Sequence, residues 1–175
     1  MQFLAISGSL RAQSTNAALL ASAQNLAPAG IKIVLCDDLG GLPIFSPDHD
    51  QPRPARVAAF ANRVARADGL IIASPEYVRA IPGGLKNAID WLVSGEELVT
   101  KPIALLHASH RGDDMLASLR AVLATVSSRF ADDIFERFAL LDKSGAEIAD
   151  TFQDGEAAER LVRFLRRFEG FCGVG

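Results

Sequence analysis

The sequence predicts a three-layer α/β sandwich built on a parallel sheet. Short apolar runs alternate with segments of helical periodicity along the 175 residues, the pattern of repeated β–α units. The runs "QFLAIS", "IKIVLCD", "GLIIASP" and "KPIALLHAS" are apolar on both faces, so the strands need helices above and below them. No internal repeat, low-complexity tract or linker interrupts the pattern. The expectation is one domain spanning 1–175, a length that can bury a sizeable core.

Each element follows in order. "QFLAIS" is the first strand. A helix from about Thr15 to Leu26 places Leu19, Ala23 and Leu26 on one face. "IKIVLCD" is the second strand, and the turn-rich "DLGGLPIFSPDHDQPRP" a long loop. The second helix covers about Pro54 to Ala67, with Val57, Phe60, Ala61 and Val64 inward and Arg53, Arg56, Arg63 and Arg66 around the solvent side. Pro75 closes the third strand. The third helix starts near Pro82, whose missing N–H suits a first helical position, and its apolar face is Leu85, Ala88, Ile89 and Leu92. After the fourth strand, a helix from about Asp113 to Phe130 buries Leu116, Leu119, Leu123 and Val126. A fifth strand is placed around "FERFALLD", a turn at "KSGAE", and a last helix from about Asp154 to Phe168 with Ala158, Leu161, Val162 and Leu165 inward.

Composition narrows the function. Apolar residues make up 49 % and the formal charge is −3. This argues against a disordered chain and against a general nucleic-acid binder, which is usually basic. No apolar run reaches the roughly 18 residues of a membrane span, and the chain enters "QFLAIS" with no signal-peptide pattern. A cytoplasmic location is expected. Cys36 and Cys172 are far apart and in no C-x-x-C pattern, so no disulfide is expected. His49, His107 and His110 lack the H-E-x-x-H spacing, and no metal site is expected.

In sheets of this kind, ligands bind beyond the carboxyl ends of the strands. The loop after the first strand, "GSLRAQSTN", is rich in side-chain donors and has Gly8 as its only glycine. It matches neither G-x-x-x-x-G-K-[ST] nor G-x-G-x-x-G. Yet a strand-to-helix junction attracts an anion through backbone N–H groups and the helix dipole. Ser9, Ser14, Thr15 and Asn16 can donate from their side chains, and Arg11 adds a planar cationic fork. A pyrophosphate needs the close backbone approach that glycine gives; a terminal monophosphate does not. The plainer alternative is that Ser14 or Thr15 only caps the helix.

The loop after the third strand, with its helix, reads "SPEYVRAIPGGLKNAIDWL". Together with "GSLRAQSTN" it resembles the NADPH-dependent FMN reductase family. The first motif matches that family's G-S-x-R-x-x-S-x-N through Gly8, Ser9, Arg11, Ser14 and Asn16. The second matches P-E-Y-N…P-G-x-L-K-N-A-I-D-W through Pro75, Glu76, Tyr77, Pro82, Gly83, Leu85, Lys86, Asn87, Ala88, Ile89, Asp90 and Trp91. "DLGGLPIFSPD" resembles the family's leucine-proline loop. Val78 stands where the family usually has asparagine. "SHRGDD" has only Gly112 where the family is often glycine-rich.

The resemblance implies a flavodoxin-like fold, a five-stranded parallel sheet of order 2-1-3-4-5. It implies a bound FMN whose phosphate is held by Ser9, Arg11, Ser14, Thr15 and Asn16. Pro75, Glu76, Tyr77 and Val78 would lie along the isoalloxazine ring, with Ser109, His110, Arg111 and Gly112 on its other side. NADPH or NADH would deliver hydride to the flavin N5, and electrons would pass to a quinone, flavin, azo or metal-oxyanion acceptor by ping-pong kinetics. No side chain is required as nucleophile or acid–base catalyst. N–H groups at Arg111 or Gly112 would meet the flavin N1–C2 edge, and Arg79 or Arg111 the extra phosphate of NADPH. Family members are commonly homodimers or homotetramers, with helix three at the interface. On burial statistics, Trp91 reads as core or interface, and Glu76 as a solvated carboxylate or a polar acceptor. Two other readings stand beside this one: an electron carrier without nicotinamide turnover, and a flavin-free binding module on the same fold.

Overall fold

The computed structural model describes residues 1–36 and 39–174. Asp37 and Asp38, expected at the end of the second strand and the start of the long loop, lie outside the described residues, as does Gly175.

Five parallel strands, β1 (Gln2–Ser7), β2 (Lys32–Cys36), β3 (Gly69–Ala73), β4 (Ile103–His107) and β5 (Phe130–Arg137), lie in the order β2-β1-β3-β4-β5. The helices are α1 (Thr15–Asn25), α2 (Ala55–Arg66), α3 (Gly83–Val93), α4 (Asp113–Val126), α5 (Gly145–Thr151) and α6 (Gly155–Gly173). Successive side chains of a strand point to opposite faces, and both sets are apolar here. Leu4, Ile6, Leu70, Ile72, Ile103 and Leu105 join the core shared with α2, α3 and α4. Phe3, Ala5, Ile71, Ala73, Ala104 and Leu106 join the core shared with α1, α5 and α6. The chain is thus the three-layer sandwich that the strand composition requires, with the flavodoxin-like strand order that the resemblance implies.

The buried face of α2 lies where periodicity puts it, at Val57, Phe60, Ala61 and Val64; in α6, Ala158, Leu161 and Leu165 are buried as expected, but Val162 is only half-buried and Phe164 and Phe168 complete the face. Four elements differ from expectation. Helix α4 ends at Val126, four residues short of Phe130. Ser127 turns extended there and its hydroxyl donates to Lys101 O at 2.7 Å, while Ser128 Oγ donates to Val99 O at 2.9 Å. Serine hydroxyls that bond to neighbouring backbone compete with the helix. The freed segment becomes β5, which begins at Phe130 and reaches only Arg137. The expected turn at 143–147 opens α5 instead. Ser144 Oγ accepts from Glu147 N–H and Glu147 Oε2 accepts from Ser144 N–H, a reciprocal cap. Helix α6 continues past Phe168 to Gly173.

Candidate active site

The carboxyl ends of β1, β3 and β4 bring three loops together: 8–14, 74–82 and 108–112. Order 2-1-3-4-5 makes the β1/β3 border the topological switch point, where doubly wound sheets open a crevice. Gly8 sits on that border. Its N–H donates to Ala73 O at 2.8 Å, and a Cβ there would lie 2.9 Å from Ser74 Cβ and overlap its hydroxyl. Gly8 is therefore the joint between the first two loops.

Ser14 is the N-cap of α1, with Oγ accepting from Ala17 N–H at 3.3 Å. The capping alternative is thus realised, and the hydroxyl proton stays available to a ligand. Asn16 lies in the first turn of α1, 4 % exposed, and its Oδ1 is buried with no hydrogen-bond partner. Such orphans are rare and costly in native interiors. Thr15 is half-buried in the same turn. Ser9 is half-buried, accepts from Arg11 N–H at 3.3 Å, and its hydroxyl meets Tyr77 OH at 3.4 Å. The Arg11 side chain is exposed and pairs with no carboxylate among the described residues.

Residues 77–80 form a two-residue hairpin turn. Tyr77 N–H donates to Ala80 O at 3.1 Å and Ala80 N–H returns to Tyr77 O at 3.0 Å. Val78 and Arg79 occupy the left-handed region, at φ 51° and 60°. A β-branched residue is a genuine outlier there, and Val78 is 98 % exposed, so no packing compensates. Half-buried Pro75 leads into this turn. Glu76 is not a solvated carboxylate: its Oε2 accepts from Met115 N–H at 3.1 Å. It serves as the cap of α4, whose own N-cap, Gly112, has no side chain to offer. Arg79 Nε donates to Asp114 Oδ2 at 2.5 Å in an exposed pair.

In the third loop Ser109 Oγ accepts from Arg111 N–H at 3.0 Å, while the N–H groups of His110 and Gly112 have no acceptor among the described residues. His110 and Arg111 expose their side chains. Gly112 has φ 102°, and a Cβ there would lie 2.9 Å from His107 Nε2. His107 is buried, with Nδ1 3.1 Å from Ser74 O and Nε2 2.5 Å from Arg111 O. Burial pushes its pKa below the ordinary histidine value; the Arg111 carbonyl works the other way, and Arg137 adds to the lowering.

A cleft of about 320 Å³ opens beside the first loop, between Ser9, Leu10 and Arg11 and the Leu39–Gly40 segment, floored by Ala5, Leu20 and Leu35. Its lining puts it on the β2 side of that loop, away from residues 75–80 and 109–112. No cluster of three or more His, Cys, Asp or Glu among the described residues could hold a metal. No described helix is long and apolar enough to cross a membrane.

Sequence reasoning missed the role of Asn87 and Trp91. Asn87 Oδ1 accepts from Phe45 N–H at 2.8 Å and its Nδ2 donates to Pro43 O at 2.9 Å. Trp91 Nε1 donates to the same oxygen at 2.7 Å, and its fully buried ring meets Phe45 edge-on at 5.0 Å. Their spacing of four residues put both on one helix face. They fasten the 42–46 loop to α3.

Fold and loops together define a flavodoxin-like protein with a donor-rich crevice at the switch point of its sheet. Residues 1–135 match the family model of the NADPH-dependent FMN reductases, and the chain belongs to that family. It is 43 % identical over 91 residues to a 2-hydroxy-1,4-benzoquinone reductase of Burkholderia sp, 52 % of this chain and 49 % of that protein. It is 35 % identical over 113 residues to the quinone reductase of Escherichia coli K12, 62 % and 60 % of the two chains. The chain thus spans about half to three-fifths of the length of these curated relatives. Among solved structures, FerB, a flavoenzyme NAD(P)H:(acceptor) oxidoreductase from Paracoccus denitrificans, superposes with a TM-score of 0.78 at 25 % identity, covering 98 % of this chain and 97 % of that one.

Proposed function

We propose that the protein is an FMN-dependent NAD(P)H oxidoreductase that reduces a small electron acceptor of the quinone type. The observation that carries the reading is the first turn of α1. A buried asparagine with an unpartnered amide oxygen sits beside the Ser14 cap, at a helix N-terminus, with an unpaired arginine across the loop. The amide's O and N are interchangeable by a flip, so this end can present N–H to a phosphate or accept from a sugar hydroxyl. The residues therefore fit FMN.

In this reading Ser9, Arg11, Ser14, Thr15 and Asn16 hold the phosphate. Pro75, Glu76, Tyr77 and Val78 form one wall of the ring site. Ser109, His110, Arg111 and Gly112 would form the other, with the Gly112 N–H as the candidate donor to the N1–C2 edge of the ring. Bound FMN supplies hydride acceptance and electron transfer. The protein positions it and leaves one face open, so donor and acceptor take turns there and steady-state kinetics are ping-pong. Of the two arginines considered for the extra phosphate of NADPH, Arg79 is engaged by Asp114, which leaves Arg111. We also place the protein in the cytoplasm and read it as a homodimer or homotetramer, the latter reading supported by the exposed apolar side chains Leu10, Ile44 and Val78.

The test is spectral. The purified protein carries a yellow chromophore that bleaches on anaerobic NADPH, and Ser9→Ala/Ser14→Ala/Asn16→Ala together loses it. A protein that stays yellow with NADPH is a carrier. Unchanged FMN retention in the triple variant sinks the phosphate assignment.

A further inference from the structure

His107 is 1 % exposed, and the flavin reading gives its side chain nothing to do. Both of its ring nitrogens face carbonyl oxygens, Ser74 O and Arg111 O. A neutral imidazole has one N–H, so it can donate to one of them only, and its other nitrogen then turns a lone pair on an oxygen. Both contacts become hydrogen bonds only when the ring carries two protons.

The two oxygens belong to different walls of the crevice. Ser74 leads into the 75–80 loop and Arg111 lies in the 109–112 loop. In a trans peptide the C=O and the following N–H point opposite ways. With Arg111 C=O drawn to His107, the Gly112 N–H is aimed away from it. We propose that His107 is a positioning residue, a proton-dependent clasp that ties these two loops and aims the Gly112 N–H into the crevice between them. What that N–H meets, the carbonyl edge of the isoalloxazine, rests on the flavin reading.

The surrounding charges fit such a clasp. From β5, Arg137 opposes a second proton; from α4, Asp113 favours it, and these two pair with each other at 2.5 Å. Glu76 reaches over from the second loop, with its Cβ 3.6 Å from where a Cβ on Gly112 would stand. Its carboxylate is spent on Met115 N–H. The N-terminus of α4 adds partial positive charge. Burial disfavours the imidazolium, so the ring is singly protonated at neutral pH and the clasp is half made. A ligand that needs the closed loops raises the His107 pKa. Its affinity is fullest below the pKa of the free protein and is lost as pH rises through the higher pKa of the complex.

Two measurements test this. Imidazole ¹⁵N and ¹H signals of the unliganded protein, followed as pH is lowered from about 8 to the acid limit of the fold, report the clasp without any flavin: one hydrogen-bonded N–H proton is expected at about pH 8 and two below the titration of the ring. Riboflavin titration by fluorescence reports the coupling, since riboflavin lacks the phosphate whose own titration would intrude. About tenfold tighter binding is expected below the titration of the ring than above it, the worth of one added hydrogen bond. His107→Gln, which keeps one donor, flattens that dependence. A single N–H throughout, or a pH dependence unchanged in His107→Gln, overturns the clasp. Two N–H signals in a protein that binds neither riboflavin nor FMN support the clasp and overturn the flavin reading instead. The NMR arm uses the native chain, so it decides even where the variant fails to fold.

Discussion

Asn16 offers a prediction in which stability and binding move in opposite directions. The side chain is buried at the first turn of α1 and its Oδ1 has no partner. An unsatisfied buried polar group costs about 1–3 kcal/mol. Leucine has a similar size, leaves no polar atom, and is the better helix former. Asn16→Leu is therefore expected to stabilise the flavin-free protein by about 1 kcal/mol, raising its Tm by ~2–4 °C for a chain of this length. The same change removes an amide from the proposed phosphate site. A hydrogen bond to a charged partner is worth ~1.5–3 kcal/mol, so FMN affinity should fall by roughly one to two orders of magnitude. Urea unfolding of the apoprotein measures the first effect and quenching of FMN fluorescence the second. An apoprotein destabilised by a kilocalorie or more, or an unchanged Kd, would refute the reasoning that this amide is held open for a ligand.

Three further predictions follow from single contacts. Val78→Asn places a residue tolerant of the left-handed region at φ 51°; with no packing to lose, it should gain about 1 kcal/mol, seen as a higher Tm, and a loss would show that the turn is not strained. Asn87→Ala strands the Phe45 N–H and should cost about 1–3 kcal/mol in denaturant unfolding; a neutral result would mean that Trp91 alone fastens the loop. The Ser144 hydroxyl and N–H hold the Glu147 carboxyl below the usual glutamate range. The stability it lends is present above the ordinary glutamate pKa and fades as pH falls through the lowered one. Glu147→Gln should remove that acid slope from the melting profile by lowering the neutral plateau, with the low-pH end little changed.

How far the sequence could be read depended on where the information lies. The strands announce themselves because burial on both faces demands unbroken apolar runs, and Val57, Phe60, Ala61 and Val64 keep a helical period that nothing else explains. The end of α4 did not announce itself. Leu116 to Val126 continues smoothly toward Phe130, and only the hydroxyls of Ser127 and Ser128 finding Lys101 O and Val99 O stop the helix. Those acceptors lie more than twenty residues away. Helix α5 had a local signal, Ser144 and Glu147 at capping-box spacing, which the turn formers around it masked. Within the crevice, the donor-rich character of the first loop was legible as composition. The partners of His107, Glu76 and Asn87 were not, because each is bonded across loops that only the folded sheet makes adjacent.

The three loops are fastened to one another at their bases and free at their tips. Gly8 against Ser74, His107 between Ser74 and Arg111, and Glu76 on Met115 form the fixed points. Val78, His110 and Arg111 stand exposed above them. A library meant to change which molecules the crevice admits should randomise those tips and leave the bases alone. Diversity at the tips changes the mouth that an incoming molecule meets, while a single substitution at a base shifts both walls at once and forfeits the scaffold on which selection depends.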